Sequence, residues 1–440
     1  MTKAHGVNVE AFIKGEMVLH FSRITVTQRC TQMPIVFSGP GHVQLEKRTL
    51  RYVIYHSCVA DEANRHMAIS FGGRAGELVK ENSLFDFEGV DFSGTLWTAE
   101  AVDTTGGSYR NEFCVVEGSI NALQSRKPVS GELQNSLHHV YIYDTHFPSN
   151  RLLNESGLEF VHDHSTVLLH KDESGCDVSV VGGDLSDEIA RAIEKSLNVL
   201  SGVRLQLGTA EKVWGGHSVV ELYSREVEFS NRQLLPPVEI PFNCASDFFG
   251  SVFSLLVRFF ERDGGVFYDS WNKLNRAWQA GIDSAALNVS VCIEGVLKAY
   301  FEDLGTDNDF AAISKQAVPA VMQLEVDERV KNLLRSCLGG TGNFKPKTAL
   351  RVLSDTGKVS QGLAGKWNKL RSETAHAVET GEAREDWQRM VNLTFANIKL
   401  FYELLFAIVG YEGARIDYDC LGHPTVLPSA ATYESEHSGA

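Results

Sequence analysis

The stretch KWNKLRSETAHAV, residues 366–378, sets Arg371 and His376 five positions apart among small and polar residues. An arginine carries a planar, permanent charge that matches phosphate oxygens two at a time. A histidine titrates near neutral pH and moves a proton in either direction. Side by side they are the parts of a phosphodiester cleavage that needs no metal: one group clamps the phosphate, the other handles protons. Spacing alone is a poor guide, however. With 23 arginines and 15 histidines in 440 residues, chance supplies roughly one such pair. Arg51 and His56 in RYVIYH repeat it inside a strand-like run, where positions five apart face opposite sides. That copy reads as structural.

The surroundings of Arg371 separate it from the other copy. A short amphipathic stretch, GLAGKWNKL, precedes it, and the longest helical pattern follows. Ser372, Thr374 and Ala375 predict a relaxed segment between the two. That matters, because five residues of ideal helix turn two side chains about 140° apart. Convergence requires a broken or tilted helix, or two copies of the chain facing each other. Charge also reverses here. Residues 343–371 hold Lys345, Lys347, Arg351, Lys358, Lys366, Lys369 and Arg371 against Asp355 alone, a local +6 in a chain of −15. A basic patch of this kind draws in a phosphate backbone that the rest of the surface repels. Lys369 is a secondary candidate for phosphate contact. Trp367 is a candidate for base stacking, although a tryptophan at this spacing belongs more often to the core.

Two kinds of element must position these residues. Before about residue 240 the chain is β-branched and aromatic, as in EMVLHFSRITVT (16–27), RYVIYHSCV (51–59), HVYIYD (139–144), FVHDHSTVLLH (160–170) and VVELYSREVEF (219–229). Turn signals such as SGPGH and TTGGS separate the runs. One helix interrupts them, with Ile189, Ile193, Leu197 and Leu200 on one face, Asp184 or Ser186 as cap and Gly202 as stop. The expectation is an antiparallel sandwich or open barrel closed by that helix and a last hairpin. LLPPVEIPFN (234–243) reads as an extended linker. Helices are expected at 247–262, 284–305, 325–339, 347–357 and 386–410. The last two turns of the final one are apolar nearly all round, which calls for a bundle core or a dimer seam. The fold class is therefore α+β: a β-rich domain over 1–240, an all-α bundle over 241–425, and a disordered tail over 426–440.

Other features point away from competing chemistries. The eight cysteines are scattered without a C-x-x-C pair, so buried thiols are expected rather than zinc or disulfides. Six histidines fall within 138–170, namely His138, His139, His146, His162, His164 and His170. On a single strand His162 and His164 would share a face and could hold zinc or copper, but no certain third ligand accompanies them. GGTG at 339–342 lacks the wording of a phosphate loop and reads as a helix stop. The N-terminal residues contain no apolar signal core, and the most apolar run, LFYELLFAIV, is short and holds Glu403. A cytoplasmic chain away from membranes is expected, with no cofactor and no metal.

The helical second half, the arginine–x4–histidine element before the last long helix and the phrase LRSETAHA together resemble HEPN domains. Within that superfamily the closest wording is that of the ApeA-like group. The resemblance covers about 245–412. The first half is only weakly similar to the β-rich parts that precede such domains, through SLNVLSGVRLQLGTAEKVWGGHSVVELYS. Ala377 stands where the family has glycine, and Ser372 where other branches carry Asn, Asp or His. The resemblance implies a HEPN-like bundle and a metal-independent endoribonuclease. Two helical domains would form a homodimer so that two Arg371–His376 pairs line one cleft, with RNA as substrate. Anti-phage defence or a toxin-like role would follow, with an unknown trigger acting on the β domain. Related domains place an acidic or polar residue on an earlier helix, which would make Glu294 an orienting partner of Arg371. The plainer reading of Glu294 is a solvated or helix-paired glutamate. The competing function is a non-catalytic helical dimerisation or recognition module with a ligand-binding β domain.

Overall fold

The computed structural model describes residues 8–29, 32–57, 80–110, 113–129, 134–142, 158–171, 175–225, 234–238, 245–306, 308–340, 342–375 and 384–427. It divides into two compact units, residues 1–190 with 205–229 and residues 191–204 with 230–440. The α+β reading holds. The helical unit, however, begins at 230 rather than 241 and also takes most of the helix expected to close the β domain.

The first unit starts with a short helix, α1 (Val9–Ile13), and then β1 (Val18–Gln28), β2 (Val36–Glu46), β3 (Thr49–Ser57), β4 (Phe85–Asp91), β5 (Leu96–Arg110) and β6 (Phe113–Ile120). These six pair antiparallel in the order β4-β1-β2-β3-β6-β5, and β5 pairs back to β4, so the sheet closes into a barrel. Alternation explains the inward face. Phe21, Ile24, Val26, Tyr52, Ile54, Phe87 and Trp97 are buried and fill it. Closure depends on irregularities. Ala101 sits at φ 53° within β5, where the strand leaves β4 and continues along β6. Register also shifts between Phe21 and Ile24 of β1, and such bulges bend a sheet enough to close it. Gly118 of β6 is a close approach: a Cβ there would lie 2.0 Å from the Asp103 carbonyl and 2.4 Å from the Tyr52 ring.

The sheet then continues as β7 (Ala122–Pro128), β8 (Ser136–Ile142), β9 (Leu158–His162), β10 (Ser165–Lys171) and β11 (Gly175–Gly182). The helix α2 (Asp187–Ser201) precedes the hairpin β12 (Gln206–Trp214) and β13 (His217–Tyr223). The order outward from the barrel is β7-β13-β12-β8-β11-β10-β9. Ser186 Oγ accepts the Ile189 N–H at 3.3 Å to cap α2, and Gly202 at φ 70° ends it.

The second unit holds α3 (Ala245–Arg262), α4 (Gly265–Ala280), α5 (Ile282–Tyr300), α6 (Glu302–Gly305), α7 (Asn308–Met322), α8 (Glu328–Gly339), α9 (Pro346–Asp355), α10 (Leu363–Ala375) and α11 (Arg384–Val409). The small hairpin β14 (Arg415–Ile416) and β15 (Thr425–Val426) follows, so pairing reaches one residue into the expected tail; residues 428–440 lie outside the described residues. The α5 helix packs on α4, α10 and α11. Phe267 stacks on Phe401 at 4.7 Å, and Leu400, Leu404 and Leu405 are fully buried. The apolar end of α11 is therefore bundle core. Glu385–Val409 has the length and composition to cross a membrane, yet 72% of its apolar window is buried in the bundle.

Two expectations are corrected here. The proline-rich stretch is no free linker over 234–238. Leu234 and Val238 are buried, Tyr402 Oη donates to the Leu235 carbonyl at 2.7 Å, and Tyr418 Oη donates to that of Pro236. Residues 239–243 lie outside the described residues. FVHDHSTVLLH is a hairpin rather than one strand, because Asp163 at φ 50° and His164 make the turn between β9 and β10.

Candidate functional site

Arg371 lies on α10, with its Nη2 2.8 Å from Glu294 Oε2 on α5. Its guanidinium carbon stands 5.5 Å from the centre of the Trp367 ring, one turn earlier on the same helix. Trp367 is fully buried, and its Nε1 donates to the Ser290 carbonyl at 3.0 Å. Ser290 is one turn before Glu294, as Trp367 is one turn before Arg371. Two matched i, i+4 pairs thus meet across the α5–α10 contact, a buried one below and a charged one at the surface. Arg371 and Glu294 side chains remain 47% and 38% exposed, so the guanidinium can still be reached from solvent.

The local backbone differs from expectation. Ser372, Thr374 and Ala375 do not relax the chain, because α10 stays helical through Ala375. Buried Trp367 and Leu370 anchor this helix. Thr374 Oγ1 donates back to the Leu370 carbonyl at 2.9 Å, a bond that a helical threonine makes within its own turn. His376 lies outside the described residues, immediately beyond that helix end. The α11 helix resumes at Arg384, and Arg389 reaches Glu373 of α10 at 3.8 Å.

The supporting residues separate into two groups. Lys366 is neutralised by Asp419 at 2.5 Å. Lys369 is exposed and has no ion pair among the described residues, and Ser372 is exposed without a hydrogen bond there. Lys345, which precedes α9, and Arg351, midway along it, line a cleft of about 570 Å³ with Thr306, Asp309 and Thr348. The α5 surface beside Glu294 is apolar, with Val291 and Leu287 exposed at 61% and 47% one and two turns away. Trp367 is core, which removes it as a base-stacking platform but makes it the prop beneath Arg371. Glu373 and Arg389 were not singled out in the sequence; the only signal was that they flank the candidate histidine.

The competing motifs resolve as structure. Arg51 and His56 both lie in β3, where Arg51 Nε is 3.4 Å from Glu46 and His56 Nδ1 is 3.1 Å from the Ser38 N–H. His162 and His164 do not share a strand face, since one ends β9 and the other is in the turn. His139 is buried, with Nδ1 3.0 Å from Tyr141 Oη; burial first, then the charges of Lys212 and His138, push its pKa down to about 3. His146 lies outside the described residues, among which no three His, Cys, Asp or Glu side chains converge on a metal position. GGTG is a helix stop: Gly340 N–H donates to the Ser336 carbonyl, and Thr341 lies outside the described residues. Cys114, Cys176 and Cys292 are buried thiols, while Cys337 and Cys420 are exposed. Comparison of the chain with protein-family models, with curated proteins and with solved structures finds no match.

Proposed function

We propose that the helical unit is a HEPN-type, metal-independent endoribonuclease acting on RNA as a homodimer, with Arg371 and His376 as its catalytic residues. The observation that supports this most is the placement of Arg371: propped on a buried tryptophan, aimed by Glu294, and still open to solvent. In this reading His376 accepts the proton of a ribose 2′-hydroxyl, and that oxygen attacks phosphorus. The bond to the 5′-oxygen breaks, and the leaving oxygen takes a proton from the second copy's His376, giving a 2′,3′-cyclic phosphate and a 5′-hydroxyl. Arg371 carries the charge that builds on the phosphorane oxygens. Two copies supply the base and the acid that one histidine cannot be at once. The β unit would restrain or trigger the cut, in a cytoplasmic anti-phage or toxin-like role.

RNA cleavage by the full chain in EDTA tests the reading. Wild type should cut, and Arg371→Ala and His376→Ala should each abolish cutting while the fold is retained. Equal cutting by all three would end it. A specific observation favours the non-catalytic module as second reading: Arg371 already has a carboxylate partner, as in an ordinary surface ion pair. Absence of cutting by wild type on every RNA, with a cell phenotype unchanged by both substitutions, would select it.

A further inference from the structure

The two helices α7 and α8 form a hairpin whose outer surface is unusually apolar for a monomer. They pack on each other, with Ser314 buried between turns. Yet Ile313, Leu324, Val326, Val330, Leu333 and Leu334 are exposed, Ile313 at 61% and Leu333 at 62%. On α8 the apolar positions fall at 330, 333, 334 and, with the exposed Cys337, 337. That is the i, i+3, i+4, i+7 stripe of a helix meant to be covered on a second side.

We infer that this stripe docks against the same hairpin of a second copy, making a two-fold, four-helix contact. Area and charge both choose this occupant. Taking ~150–200 Å² for a fully exposed large apolar side chain, the six residues present on the order of 500 Å² per chain. Two copies then bury about 1,000 Å² before any polar rim is added, which reaches the threshold for a specific interface. The chain as a whole carries −15 and repels itself, but residues 308–339 hold four acidic and four basic side chains and are neutral. The tip is internally neutralised, with Asp327 paired to Arg329 at 3.1 Å and Glu328 to Lys331 at 2.8 Å. The same surface can therefore meet itself across a two-fold axis without the repulsion that the rest of the chain would impose, as an isologous contact requires.

The inference stands apart from RNA cleavage: that reading brings the Arg371 and His376 surfaces of two copies together, whereas this contact lies on the α7–α8 hairpin, which carries neither residue. Light scattering on the full chain after size exclusion, with wild type, Leu333→Glu, the double variant Ile313→Glu/Leu333→Glu, and Arg371→Ala, tests it. Wild type and Arg371→Ala should run at the dimer mass, and the double variant should lose half of it with an unchanged circular dichroism spectrum. Single Leu333→Glu, in an exposed position, should weaken pairing at least tenfold without lowering the melting temperature. A dimer unmoved by the double variant, a monomeric wild type, or a monomeric wild type that instead sediments with anionic vesicles would each overturn it. Cleavage that persists in the monomeric variant would remove the dimer requirement from the nuclease reading and leave the hairpin contact intact.

Discussion

Glu294 and Arg371 join two helices through a single 2.8 Å contact whose lower rung is the buried bond from Trp367 to the Ser290 carbonyl. The charged rung is half exposed, so it contributes about 0–1 kcal/mol to stability. Its consequence is direction: the carboxylate selects one rotamer of a long cation. Glu294→Ala should therefore leave the melting temperature within about 2 °C of wild type. RNA cleavage should fall about tenfold through loss of orientation, and Glu294→Gln, which keeps an acceptor, should recover part of it. Cleavage assays beside thermal melts check this; a Glu294→Ala enzyme as active as wild type would make the pair incidental.

Trp367 is the structural half of the same arrangement. Removing a fully buried tryptophan costs about 3–5 kcal/mol through lost burial and the cavity left behind. Trp367→Ala should thus lower stability by that amount in urea unfolding. Trp367→Phe, which mainly loses the bond to the Ser290 carbonyl, should cost about 1–2 kcal/mol. Similar losses for the two variants would mean that α5 and α10 do not depend on the indole.

Much of this arrangement was legible in the sequence, and the parts that were not have physical reasons. Fold class followed from local pattern: residues 16–27 alternate in part, and Val289, Ile293, Val296 and Tyr300 repeat at helical spacing. Barrel closure did not, because it depends on β5 leaving β4 for β6 at Ala101, a left-handed residue that no glycine announces. Asp163 concealed the β9–β10 turn in the same way. Ser372 and Thr374 read as helix-loosening, but burial of Trp367 and Leu370 outweighs their weak propensity, and helix α10 runs on. The prolines at 236–237 read as a linker because prolines disfavour helix; the carbonyls around them are acceptors for Tyr402 and Tyr418, a long-range pairing that pattern does not encode. Glu294 was a candidate only by resemblance, and its contact with Arg371 is a tertiary fact of the same kind.

Glu403 tests the bundle interior. It is 1% exposed and accepts from the Ser360 N–H and Oγ–H, both at 2.6 Å, with Arg415 Nη2 at 3.7 Å. The carboxylate thus ties the turn before α10 to the C-terminal part of α11. Glu403→Leu adds apolar bulk but strands the Ser360 N–H and leaves Arg415 without its anion, a loss of about 3–5 kcal/mol. Glu403→Gln keeps one acceptor and should lose less. Chemical denaturation of both variants measures the difference, and a Leu variant as stable as wild type would show that the site relaxes or admits water.

His139 predicts the acid response of the β unit. Burial against Val178 and Ala210, its cross-strand neighbours, holds its folded pKa near 3, below the ordinary 6.5. A depressed histidine pKa means that the unfolded chain binds more protons between those two values. Stability from this group is therefore complete above about pH 6.5 and falls as pH drops towards 3, by up to ~1.4 kcal/mol per unit. His139→Phe keeps the bulk and removes the titration, although Tyr141 Oη then loses its 3.0 Å partner. Urea midpoints measured from pH 7 to pH 4.5 should decline less steeply for His139→Phe than for wild type, even if the variant starts lower. Parallel slopes would mean that His139 is solvated when charged and that other groups drive the acid loss.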